Sequence, residues 1–212
     1  SGQTVAAART RRDRVATPPR DLWRALHRLV RRVVAARPAD AEPVVACGVS
    51  CEGPLQRDTG TVSPMHLPVW QSFPLRERVG ELTGLPTVVD SSAHGRVLAG
   101  RWIGAAQGTD DVMVVLLSNA VEAGVISGGR LLHGRMGNAG AIGHLLVEPD
   151  GLPCVCGAQG CLTPYVSAAT LEEEMNRPLR RAPASIIERT GVMLGRAVAS
   201  AGSTRVSQAS RA

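Results

Sequence analysis

The segment His144–Cys161, HLLVEPDGLPCVCGAQGC, constrains this chain more than any other stretch. It gathers His144, Cys154, Cys156 and Cys161 into one loop-and-strand region. Three of the five cysteines lie inside eight residues, each beside a glycine or proline. Zinc favours four soft or borderline donors in a tetrahedron, and a Cys₃His set is a common closed structural site. The Cys154-x-Cys156 spacing and the nine-residue gap from His144 depart from the usual zinc-finger interval. The alternative is three thiols beside an unrelated histidine. Thiolates held by zinc predict a reducing compartment, and a filled coordination sphere does not itself imply catalysis.

A chain of 212 residues can bury a substantial core as one large domain or two lobes. No apolar run approaches the length of a membrane span, and Ser1-Gly2-Gln3 opens without a signal-peptide core, so the expected address is cytoplasmic. Arginine supplies all 24 basic residues behind the formal charge of +6, and lysine is absent. That excludes a phosphate-loop lysine, a Schiff-base lysine and a protein-kinase strand lysine. The arginines are spread over helices and not interleaved with aromatics, which argues little for nucleic-acid binding.

Residues 4–16 alternate like a strand or hairpin edge, with Arg9, Arg11, Arg12 and Arg14 reading as a solvated face. Thr17 is the expected cap of a long amphipathic helix whose first turn holds Pro18-Pro19. Its apolar side is Leu22, Leu26, Leu29, Val30, Val33 and Val34. Val44–Val49 reads as a buried strand with Cys47 as a small core residue, and residues 57–72 as an excursion where His66 and Trp70 could line a cleft. A short helix from Phe73-Pro74-Leu75 to Leu82, closed by Gly84, precedes a strand at Pro86–Val89. The strand stops at Asp90-Ser91-Ser92 and a helix runs from Ala93 to about Trp102. A strand end feeding a helix is where open α/β sheets place ligand groups. Val112–Leu117 reads as a central strand and Val121–Ser127 as a second strand whose tight Gly128-Gly129 turn leads into Leu131-Leu132 as an antiparallel hairpin, so the sheet is mixed. Leu145–Val147 is expected as a short strand, residues 170–176 as a helix capped by Thr170, and Ala184–Ala201 as a closing helix. Ile187, Val192 (or Gly191), Leu194 and Val198 are its expected apolar side, followed by a polar tail.

Taken alone, these residues describe an α/β protein with a structural metal and an incomplete catalytic set. No GxGxxG or GxxxxGK[ST] cradle occurs. Asp90 is the best-placed carboxylate but has no evident partner, and Cys51 with His66 makes only a weak nucleophile pair.

The run GH (143–144) … GLPCVCGAQGCL (151–162) resembles the signature of the ROK family of bacterial sugar kinases and sugar-responsive repressors. CGVSCEGP (47–54), TGTVSPMHLPVW (59–70), FPLRERVGELTGLPTVVD (73–90) and EAGVISGGRLLHGRMGNAGAIGHL (122–145) agree with it. The resemblance implies an actin-like, ribonuclease-H-like two-lobed sugar-kinase fold, usually dimeric, which holds a sugar between its lobes and phosphorylates it with Mg-ATP. It implies structural zinc on His144, Cys154, Cys156 and Cys161. It also implies an N-terminal lobe at 1–92 lacking its first phosphate-motif strand, a C-terminal lobe at 93–203 with the zinc loop, and a tail at 204–212. The fold is thus expected truncated at both ends.

The departures from the family pattern concentrate at its active site. Its Glu-Asn-Asp falls on Asp90-Ser91-Ser92, which places the family's catalytic aspartate at Ser92 and a sugar-binding asparagine at Ser91. A serine hydroxyl is a poor general base at neutral pH. The Gly-Thr-Gly phosphate loop falls on Ser118-Asn119-Ala120, whose side chains obstruct close backbone approach to phosphate. Sugar-contacting glutamates fall on Ala141 and Thr163, and a sugar-contacting asparagine on His66. His144 alone is kept. The expectation is a ROK-type sugar-sensing or regulatory protein without phosphotransfer. DNA would be bound only through a domain outside this chain. The alternative is an active sugar kinase with Asp90 as the base. Asp90 precedes Ser92 by two strand residues, about 6–7 Å away on the same face.

Overall fold

A computed structural model describes residues 4–10, 17–65, 67–176 and 178–203. Two compact units are present, residues 1–109 with 133–138 and residues 110–132 with 139–212. The division therefore falls at Thr109–Asp110 and not after Ser92, because the helix that follows Ser92 packs on the strands before it. His66, residues 11–16 and the tail at 204–212 lie outside the described residues, so the readings made for them are not addressed below.

In the first unit, residues 4–10 carry no strand, contrary to the alternation in their sequence. Helix α1 (Pro19–Ala35) begins with proline at its first position, where a missing N–H costs nothing. Pro18, not Thr17, occupies the cap position, and no side chain caps the helix. Ala25 is buried, and Trp23 and Leu26 pack on the unit's core. Strand β1 (Cys47–Cys51) starts later than the apolar run suggests. Val44 and Val45 are exposed ahead of it. After β1 come the short antiparallel pair β2 (Leu55–Gln56) and β3 (Thr61–Val62), then helix α2 (Leu75–Thr83), which ends on the left-handed Gly84.

Strand β4 (Thr87–Ser91) pairs parallel with β1 in the register Cys47↔Thr87 to Cys51↔Ser91. A parallel pair needs a crossover, and the chain from β2 through α2 supplies it. Helix α3 (Ser92–Ile103) follows without a loop. The core is Leu55, Val62, Leu75, Val79 and Val89, lined by the stacked rings of Trp70 and Phe73. Full burial of such side chains contributes about 1.5–3 kcal/mol each relative to exposure. Residues 133–138 return to this unit because the Asn138 amide holds both backbone groups of Leu55. Its Oδ1 accepts from the Leu55 N–H at 2.8 Å, and its Nδ2 donates to the Leu55 carbonyl at 2.8 Å.

The second unit is built on an antiparallel sheet of β5 (Val112–Leu117), β6 (Val121–Ser127) and β7 (Arg130–Leu131). β6 is the middle strand, with Val121, Ala123 and Ile126 buried. β5, expected to be central, is an edge among the described residues. Its apolar run is half-buried from Val112 to Leu116 and exposed at Leu117, which a continuous hydrophobic sequence does not distinguish from full burial on both faces. Leu145–Val147 forms no strand. A 3-10 turn at Ile142–His144 leads instead to an isolated bridge, Leu146↔Cys161.

Helices α4 (Thr163–Val166), α5 (Ala168–Met175) and α6 (Ala184–Ser203) complete the unit. Ser167, not Thr170, caps α5: its hydroxyl accepts from the Thr170 N–H at 3.3 Å. The inward face of α6 is Thr190, Met193, Leu194 and Ala197. Ile187 and Val192, expected on that face, are exposed. The core joins Val121, Ala123, Ile142, Leu162, Val166 and Ala197. Among the described residues no helix is long and apolar enough to cross a membrane.

Candidate functional site

The cysteine segment folds back on itself through main-chain bonds. The Cys154 N–H donates to Ala158 O at 2.8 Å, Gly157 N–H to Cys154 O at 2.9 Å, Gly160 N–H to Leu152 O at 2.9 Å and Val147 N–H to Gly160 O at 2.9 Å. The Tyr165 hydroxyl accepts from the Leu152 N–H at 2.7 Å, tying the loop to α4. The result brings one donor atom each from His144, Cys154, Cys156 and Cys161 within 4.8 Å of one another.

Zinc–sulfur bonds near 2.3 Å and zinc–nitrogen bonds near 2.0–2.1 Å set a tetrahedron's S···S edge at about 3.8 Å and its S···N edge at about 3.6 Å. Cys156 Sγ lies 3.7 Å from Cys161 Sγ, and Cys154 Sγ lies 3.6 Å from His144 Nδ1. These two of the six edges match a tetrahedral metal site, and all four donors lie within 4.8 Å of one another. Burial, followed by hydrogen bonds that the Cys161 thiol donates to Cys156 and Cys154, pushes it up to about 12, while the Ala158 main chain and the neighbouring thiols draw Cys156 down. A divalent cation would replace the proton on Cys161 and neutralise the assembled thiolates.

The positions of the expected sugar and phosphate site divide between the units. Ser91 ends β4 and caps α3, its hydroxyl accepting from the Ala93 N–H at 3.1 Å. Ser92 is the first residue of that helix. In the second unit, Ser118-Asn119-Ala120 is the three-residue loop of the β5–β6 hairpin. The Ser118 hydroxyl donates to Ala120 O at 3.0 Å, and Ser118 O accepts from the Ala168 N–H at 2.9 Å. Ala141 precedes the 3-10 turn that carries His144. Thr163 is buried, and its hydroxyl donates to Gly143 O at 2.9 Å, pinning α4 beside that turn.

Asp90 does not stand alone. Its Oδ1 accepts from the Ser91 N–H at 2.7 Å and lies 2.7 Å from His94 Nδ1. Its Oδ2 lies 3.5 Å from His133 Nε2 and 4.0 Å from Arg57 Nε. Partial burial acts to raise the Asp90 carboxyl. The hydrogen bonds from His94 and Ser91 and the charges of His94 and His133 together outweigh it, and its pKa falls below the ordinary carboxylate value. Burial, then the Arg57 guanidinium, holds His133 below the usual imidazole value. His94 is fully buried, and its Nε2 has no hydrogen-bond partner among the described residues. His94, His133 and Arg57 were not singled out in the sequence. The spacing Asp90–His94, four residues across a strand-to-helix junction, was the one local signal. His133 and Arg57 reach Asp90 only through the fold.

The model of the ROK family matches residues 4–204. The chain belongs to the ROK family. It is 36% identical over 126 residues to a glucokinase of Halalkalibacterium halodurans, covering 59% of this chain and 38% of that one. It is 33% identical over 139 residues to the DNA-binding transcriptional dual regulator NagC of Escherichia coli, covering 65% and 34%. The crystal structure of a ROK family glucokinase from Streptomyces griseus with glucose and AMPPNP superposes with a TM-score of 0.62 at 33% identity, covering 71% of this chain and 48% of that one. The fold is thus the mixed α/β ROK fold, related to both sugar kinases and sugar-responsive repressors. The chain spans less than half the length of these relatives.

Proposed function

We propose that this ROK chain belongs to a sugar-sensing, regulatory protein without phosphotransfer. The observation that carries the reading is the engagement of Asp90. It is the carboxylate nearest the family's base position at Ser92, and Ser91, His94, His133 and Arg57 already surround it. A general base needs an available lone pair and a pKa near the working pH. A carboxylate held below its ordinary value by its own hydrogen bonds lacks the second of these. Ser91 and Ser92 serve the start of α3, Ser118-Asn119-Ala120 forms a hairpin loop, and Thr163 pins α4. These roles support a scaffold retained for binding.

In this reading the positions at which the family contacts sugar, Ser91 and Ser92 in the first unit and Ala141, His144 and Thr163 in the second, are the ones to probe for sugar binding. Zinc on His144, Cys154, Cys156 and Cys161 holds the segment after the 3-10 turn, supported by the edge lengths above. The protein pairs as a homodimer and meets DNA only through a domain outside this chain. Mg-ATP has a role only if the kinase reading holds.

Isothermal titration with hexoses, N-acetylhexosamines and their phosphates, run beside a coupled ATP-turnover assay, tests the proposal. Sugar binding without turnover is expected. Sugar-dependent ATP consumption that disappears in Asp90→Asn would refute it.

A further inference from the structure

We propose that Asp90, His94 and His133 form a second metal site, for a divalent transition cation of the zinc, cobalt or nickel class. The three residues come from β4, α3 and the segment after β7, all in the first unit. One donor atom from each lies within 4.8 Å of the others. Two imidazole nitrogens and one carboxylate oxygen form a set that suits borderline transition metals better than magnesium or calcium, which favour all-oxygen shells.

The distances permit it. Donors about 2.0–2.1 Å from one ion stand about 2.9 Å apart at right angles and about 3.4 Å apart in a tetrahedron. Asp90 Oδ2 and His133 Nε2 are 3.5 Å apart; His94 Nδ1, which lies 2.7 Å from Asp90 Oδ1, exchanges that hydrogen bond for the ion. The Ser91 N–H occupies Oδ1, which leaves Oδ2 as the oxygen for the ion. His94 is fixed by complete burial. Asp90 and His133 are 23% and 29% exposed, so the ion has a route from solvent and room for water in the remaining positions. Three protein donors with open positions make an exchangeable site, unlike the closed Cys₃His set.

Arg57 opposes the ion. Its Nε is 4.0 Å from the same Oδ2, and its side chain is 50% exposed, so it can swing into water when the cation arrives. Arg57 therefore sets the affinity without supplying a donor. Removing its charge should tighten binding by about three- to tenfold, as expected for one half-screened like charge.

The test titrates Co(II) into the chain after its thiolate site has been filled with zinc, and follows the visible absorption. One saturable equivalent is expected, with weak d–d bands and no sulfur-to-cobalt charge transfer. It should be lost in His133→Ala and in Asp90→Asn and tightened in Arg57→Gln. His94 is left intact because its burial makes it a folding risk, and thermal melts confirm that the other variants stay folded. No cobalt binding at millimolar metal would overturn the proposal. So would cobalt appearing only with thiolate charge-transfer bands, or binding that persists unchanged in folded His133→Ala and Asp90→Asn.

Discussion

Gly157 and Gly160 lie three residues apart in the cysteine loop, and both adopt left-handed backbone, with φ of 91° and 73°. An added Cβ at Gly157 meets nothing within 4 Å, whereas at Gly160 it would stand 1.8 Å from Glu148 O and 3.0 Å from Leu146 Cδ1. Alanine at either position costs about 1–2 kcal/mol for the left-handed conformation alone. At Gly160 the contact must open by about 1.5 Å or more to reach ordinary separation. That movement breaks the bonds from the Val147 and Glu148 N–H groups to Gly160 O, at 2.9 and 3.2 Å. Each is worth about 1 kcal/mol net. It also displaces Cys161, the next residue, from the other thiols. Gly160→Ala is therefore expected to cost about 3–5 kcal/mol in total and to lose bound metal, against about 1–2 kcal/mol and full metal content for Gly157→Ala. Urea midpoints with zinc present, together with elemental analysis of the purified variants, make the comparison. Equal losses in the two variants, or full zinc content in Gly160→Ala, would refute the claim that the loop's main chain sets the thiol geometry.

Two further outcomes concern stability. Asn138→Ala removes both hydrogen bonds that bridge Leu55 and leaves half-buried main-chain groups unpaired, an expected cost of about 2–3 kcal/mol read from thermal or urea unfolding. Arg189 binds Glu174 through two nitrogens on an exposed surface, and its hydrogen bonds hold the Glu174 carboxyl below its ordinary 4.5. The pair's contribution is thus complete above about pH 4.5 and lost as pH falls through the lowered folded value. Arg189→Gln should cost about 0.2–1 kcal/mol at pH 7 and nothing near pH 2. A loss that is the same at both pH values would show that the pair does not carry it.

Several elements were legible because local chemistry marks them. Pro19 at a helix start, Gly84 at a helix end and the Gly128-Gly129 turn each require a particular backbone, so α1, α2 and the β6–β7 hairpin lie close to where the sequence places them. Periodicity marked less. An apolar run gives the same signal whether one face or two are covered, so β5 read as central, and Val44 and Val45 read as buried strand. In α6 the apolar residues spread around more of the helix than the core can cover, and which of them face inward depends on what packs there. Ile187 and Val192 do not.

The two residue clusters divide the same way. The four donors His144, Cys154, Cys156 and Cys161 lie within one short segment rich in glycine and proline, so composition and spacing announced them together, and short-range main-chain bonds suffice to converge them. Membership of the ROK family was legible there too. The surroundings of Asp90 were not. His133 and Arg57 stand 43 and 33 residues away along the sequence, and nothing local distinguishes either from a surface side chain. Only the parallel pairing of β1 with β4, the return of residues 133–138 through Asn138, and the placement of β2 bring them to one carboxylate. The sequence by itself determined the family, the local elements and the thiol-rich donor set. The tertiary structure decided which charges share a site, because electrostatic partnership depends on distance in space and not on separation along the chain.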